Sequence, residues 1–120
     1  MIKATILDME AITEAQETMK AKFPTMVQYF IEDTEAYISN IKDGIDNAKA
    51  EKIISPAHTL KSSSRQMGAT HISNIARKIE MMAREQSNNG KNDMAAFAPE
   101  ISALETAFDE TKEAFKQLGA

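Results

Sequence analysis

Apolar residues in this chain recur every three or four positions, the period of a helix face, and strict strand-like alternation is scarce. From Thr25, the spacing of Met26, Phe30, Tyr37, Ile41 and Ile45 predicts a long helix ending near Asn47, with Tyr29 and Ile31 off its stripe. Ile53, Leu60, Ser64 and Met67 mark one side of a helix from about Ala50 to Met67, closed by Gly68. Pro56 inside it removes a backbone donor, so a kink or a first turn beginning near Ser55 is expected. Thr70 can cap the next helix, whose stripe of Ile72, Ile75, Ala76, Ile79, Met82 and Ala83 runs to about Gln86, before a turn at SNNGKND. Met94, Phe97, Ile101, Leu104, Phe108, Thr111, Phe115 and Leu118 form the seam of a last helix, with Pro99 tolerated in its first turn. A shorter helix is predicted from Asp8, a good N-cap, to about Lys22, and Phe23-Pro24-Thr25 is expected to break the chain. The fold class these elements imply is all-α: an antiparallel four-helix bundle with a short additional N-terminal helix across one end.

The composition narrows this picture. With 120 residues, four glycines and three prolines, the chain suits one domain, residues 1–120, with a helical core of its own. It has no cysteine, which excludes disulfides and thiolate metal sites and fits a reducing, cytoplasmic setting. The start, MIKATILDMEAI, is acidic too early and apolar too briefly for a signal peptide, and no run approaches a membrane span. The initiator Met and compact ends favour a free-standing protein over a piece of a hybrid kinase. A formal charge of −4 without a basic cluster argues against nucleic acid as a partner.

The candidate chemistry lies on the polar side of the third helix, where Glu51, Ser55, His58, Lys61, Ser62 and Arg65 share a face. His58 is thus offered to water or a partner, with a cation at i+3 and a small residue at i+4. The segment AHTLKSSSRQMGA resembles the signature of histidine-containing phosphotransfer (HPt) domains, roughly AHxLKGSSxxxGA. Ala57, His58, Leu60, Lys61, Ser63, Ser64, Gly68 and Ala69 stand in register, and Ser62 replaces the usual glycine. The similarity continues through Ile72, Ile75, Ile79 and Glu80. It implies a phosphocarrier in a two-component phosphorelay, with no kinase or nucleotide site of its own, accepting a phosphoryl group on His58 from one receiver domain and passing it to another. The implied partners are receiver domains of response regulators and hybrid sensor kinases, and the protein is expected to be a monomer. It holds no cofactor or metal in this reading, Mg²⁺ being expected on the receiver.

A phosphoryl-accepting imidazole must be neutral and oriented, and an ordinary imidazole is mostly neutral near pH 7. A carboxylate accepting a hydrogen bond from Nδ1–H would hold the ring and leave Nε2 as the nucleophile. By resemblance, Glu80 takes that role; the residues alone show only a polar side chain beside a core stripe. Lys61 can reach phosphoryl oxygens from one turn away. Ile54, Ser62 and Arg65 are candidate partner contacts, and Tyr29 is a weaker one. His71 reads as a first-turn helix residue without a role, and the serine triplet as small-residue packing. Two other functions are compatible with the pattern: a bundle that binds a receiver without being phosphorylated, and a hydrolase using His58 as base, which would need a deep pocket beside the ring.

Overall fold

The computed structural model describes residue 3 and residues 5–119, so part of the N-terminal stretch read for a signal peptide, the initiator Met and both ends of the proposed 1–120 domain lie outside it. Among the described residues five α-helices follow one another: α1 (Met9–Met19), α2 (Phe23–Asp46), α3 (Glu51–Gln66), α4 (Thr70–Asn88) and α5 (Ala98–Gln117). Short 3₁₀ turns at Lys20–Lys22 and Met94–Phe97 lead into α2 and α5, and no strand occurs among the described residues. Helices α2 to α5 pack in cyclic order as the antiparallel bundle, α3 against α4 most extensively.

The first helix forms where Asp8 caps it, Oδ1 accepting from the backbone N–H of Glu10 and Ala11 at 3.1 and 3.3 Å. The same residue ties α1 to the α3–α4 corner, its N–H donating to the Gly68 carbonyl at 2.8 Å. The expected break at Phe23-Pro24-Thr25 does not occur. A proline in a first turn loses no helical hydrogen bond, so Pro24 starts α2, and the change of direction falls earlier, at Lys20 with φ 50°. Pro56 likewise does not restart α3, which runs unbroken from Glu51. Thr70 is the first residue of α4 and Ala69 its cap, without a side-chain capping bond. That helix continues to Asn88, slightly past the expected end.

The core face of α2 differs from the predicted stripe. Phe23, Val27, Phe30, Thr34, Ile38 and Ile41 are buried, Tyr37 and Ile45 are half-buried, and Met26 is exposed. Two apolar ladders at helical spacing overlap in this sequence, and contact with two neighbouring helices selects the one containing Val27 and Ile38. Gly44 is buried within it, and a Cβ there would meet Ile53 Cγ1 at 2.8 Å, so glycine permits the close approach of α2 to α3. On α5, Ile101, Leu104, Phe108, Thr111 and Phe115 are buried as expected. Phe115 meets Phe30 edge-on at 6.1 Å and Phe23 at 6.5 Å.

The C-terminus of α3 closes with a Schellman pair. Ala69 N–H donates to Ser64 O at 2.8 Å and Gly68 N–H to Arg65 O at 3.1 Å, with Gly68 at φ 73°. A Cβ at Gly68 would also crowd Asp8 O and Ile12 Cδ1, each at 3.1 Å. Gly68→Ala is therefore expected to destabilise the protein by about 1 to 3 kcal/mol, measured by urea denaturation; a loss no larger than that of Gly90→Ala, where the added Cβ meets nothing, would show that the corner carries no such constraint.

Candidate functional site

The polar face of α3 presents His58 with its side chain 53% exposed. Across the α3–α4 seam, the Glu80 side chain is only 6% exposed. The two helices approach closely there because the residues between them are small: Ala57 and Ser64 of α3, Ser73, Ala76 and Ala83 of α4 are all buried. Ser73 Oγ also donates to the Lys61 carbonyl at 2.9 Å, pinning one helix to the other one residue-turn from the histidine.

Glu80 is where the site converges. Its Oε2 lies 2.9 Å from His58 Nδ1 and accepts from Arg84 Nε at 2.9 Å, with Arg84 Nη2 at 2.8 Å. Its Oε1 is 2.7 Å from the Lys61 ammonium and is otherwise enclosed. Burial alone pushes this carboxyl up, but hydrogen bonds from Lys61, Arg84 and His58, with the charge of Lys61, outweigh it and hold the group down at about 2. Glu80 is thus an acceptor at any ordinary pH. A carboxylate can only accept, so Nδ1 carries a proton, and in the neutral ring Nε2 is the nitrogen with the lone pair.

His58, Lys61 and Glu80 thus form one cluster, with Lys61 held by the carboxylate at rest. Arg84 belongs to it and escaped the sequence reading; the signal available was its i+4 position after Glu80, a spacing that also describes ordinary surface pairs. Ser62 is exposed one turn after His58 on the same face. Ile54 is half-buried and packed against the core. Arg65 is exposed and makes no ion pair among the described residues, and it does not join the Glu80 cluster. Tyr29, on α2, is 55% exposed. His71 Nδ1 stands 3.7 Å from Glu110 of α5. None of the five clefts described is lined by His58.

Among the described residues, no helix is long and apolar enough to cross a membrane. Comparison with curated proteins gives no match. The fold is similar to that of histidine-containing phosphotransfer protein B (HptB) from Pseudomonas aeruginosa PAO1, with a TM-score of 0.84 and 24% identity over 96% of this chain and 95% of that one. The family model of the Hpt domain matches residues 25–114, which contain the whole α3–α4 site. The chain therefore belongs to the Hpt domain family and is a histidine phosphotransfer protein of two-component signalling.

Proposed function

We propose that the protein is a phosphorelay carrier in which Nε2 of His58 takes a phosphoryl group from the aspartate of one receiver domain and yields it to another. The observation that carries this reading is the 2.9 Å contact between His58 Nδ1 and the buried, ionised Glu80. It leaves Nε2 on the solvent side as the free nucleophile of a half-exposed ring. Nε2 attacks the phosphorus of an aspartyl phosphate, the N–P bond forms, and the P–O bond breaks with the aspartate leaving as a carboxylate. In the forward transfer, the second aspartate attacks the same phosphorus and the imidazole leaves. The phosphorylated ring gains charge, which the Glu80 carboxylate stabilises through Nδ1–H.

Lys61 supports the phosphoryl group in this scheme. Two cations share Glu80, so Lys61 can turn to a phosphoryl group on Nε2 while Arg84 keeps the carboxylate paired. The receivers supply the aspartates and Mg²⁺, and the chain itself needs neither nucleotide nor kinase machinery. Ser62, small and exposed beside His58, leaves room for the receiver to bring its aspartate to the ring.

His58→Gln is expected to abolish phosphoryl acceptance from a phosphorylated receiver while leaving the helical circular dichroism intact, because an exposed side chain contributes little to the core. Acid-labile label persisting on the variant would place the acceptor elsewhere. Ser62→Gln should remain folded with His58 present yet transfer at least about tenfold more slowly, the cost of a side chain obstructing the near-attack approach; a wild-type rate would move the receiver off this face.

Glu80 also links the site to stability. Its folded pKa of about 2 lies below the ordinary 4.5. Its ionised form therefore stabilises the fold fully above the unfolded pKa, and this contribution is lost as the pH falls from 4.5 through about 2. Urea denaturation of Glu80→Gln should show a deficit of up to roughly 3 kcal/mol near pH 7, shrinking steadily below pH 4.5. A deficit independent of pH would mean that the ion cluster contributes through shape and not charge.

A further inference from the structure

Charge is divided unequally between the two halves of the bundle. Helices α3 and α4 carry six lysine and arginine side chains against three carboxylates, whereas α2 and α5 carry three against ten. The α2–α5 seam lies on the opposite face of the bundle from the α3–α4 seam that holds His58, since α2 packs on α3 and α5, and α4 packs on α3 and α5. Along it run two adjoining clefts of about 450 and 440 Å³, both bordered by Lys42, Asp46, Glu105 and Asp109.

The apolar part of each lining is narrow, Ile38, Ile101 and Phe108 being buried and Ile45 half-buried, but it is regularly spaced. Ile38 and Ile45 on α2, and Ile101 and Phe108 on α5, stand seven residues apart on each side. That is two helical turns, about 10 Å, the repeat of the apolar stripe on an amphipathic helix. The rim is acidic and incompletely neutralised. Lys42 pairs with Glu105 at 3.5 Å, and Lys112 pairs with Asp109 at 3.4 Å while also sitting 4.3 Å over the Phe108 ring. Glu35, Asp43 and Asp46 on α2 have no cationic partner among the described residues.

We propose that the α2–α5 seam is a second docking groove, fitted to a basic amphipathic helix of a partner protein. The helix would set its apolar stripe between the α2 and α5 walls and its lysines or arginines against Glu35, Asp43 and Asp46. An anionic surface is repelled from this side of the bundle. The groove goes beyond the phosphotransfer reading and does not rest on it: its place opposite His58 lets a partner hold the carrier while the histidine remains open to a receiver.

The test uses the full chain and a synthetic helical peptide with leucines at i, i+3, i+4 and i+7 and lysines on its other positions, beside a scrambled peptide of the same composition. In amide NMR titrations the helical peptide should shift residues of the α2–α5 seam and leave α3 and α4 unmoved, and the scrambled one should bind more weakly. The triple variant Glu35→Gln, Asp43→Asn, Asp46→Asn should bind about tenfold more weakly, the combined effect of three modest exposed ion pairs. Ser39→Phe, which fills the cleft with its charges intact, should weaken binding as well. All four positions are exposed, so the variants should keep their circular dichroism. Shifts on α3 and α4, equal binding of the scrambled peptide, or unchanged affinity in either variant would overturn the proposal. So would self-association of the chain through this seam in sedimentation. Phosphoryl acceptance by the same variants should match wild type; its loss would make the seam part of the transfer surface and overturn the claim of a separate site. Failure of His58 to accept phosphate in wild type would overturn only the earlier reading.

Discussion

A single buried carboxylate organises the site. Glu80 is ionised inside the α3–α4 seam, where an unpaired charge would be very costly. It is tolerated because Lys61, Arg84 and the His58 ring all direct hydrogen-bonding groups at it. The same contacts that make the burial permissible settle the imidazole tautomer, hold Lys61 one turn from the histidine and couple two helices. Stability and the proposed chemistry therefore involve the same few atoms.

That arrangement requires the two helices to come close, and the sequence meets this with small side chains. Ala57, Ser64, Ser73, Ala76 and Ala83 fill the seam, and Ser64 and Ser73 turn their hydroxyls to backbone carbonyls. Bulkier residues would push Glu80 beyond the reach of His58. The Schellman corner at Gly68, held by Asp8 from α1, secures the turn between the same two helices. The short first helix thereby braces the end of the bundle nearest that turn. Arg84 adds a second cation from α4 itself: one guanidinium bonds Glu80 through two nitrogens from the next helical turn.

Much of this was legible in the sequence, because helix formation and helix faces depend on periodicity, which a chain carries locally. Five helices, the outward face of His58, the i+3 place of Lys61 and the small residue at Ser62 all follow from spacing, and the resemblance at residues 57–69 named the family that the match over 25–114 establishes. Local reading went astray where two answers satisfied the same period. On α2, Met26 and Val27 start overlapping apolar ladders, and only packing against α3 and α5 decides that Val27 is buried and Met26 exposed. Pro24 and Pro56 are helix breakers in isolation, yet a first turn has no hydrogen bond for Pro24 to lose, and α3 continues through Pro56.

The sequence by itself determined the elements, the exposed histidine and the cation beside it, since these rest on contacts within one helix. Tertiary structure alone decided that Glu80 is buried and ionised, that Arg84 shares its charge, and that Ile54 packs against the core. The physical reason is the range of the interactions involved. Burial and the electrostatics of a carboxylate depend on which side chains a neighbouring helix brings within about 3 Å, and positions 58 and 80, twenty-two residues apart, meet only when α3 and α4 have closed on each other.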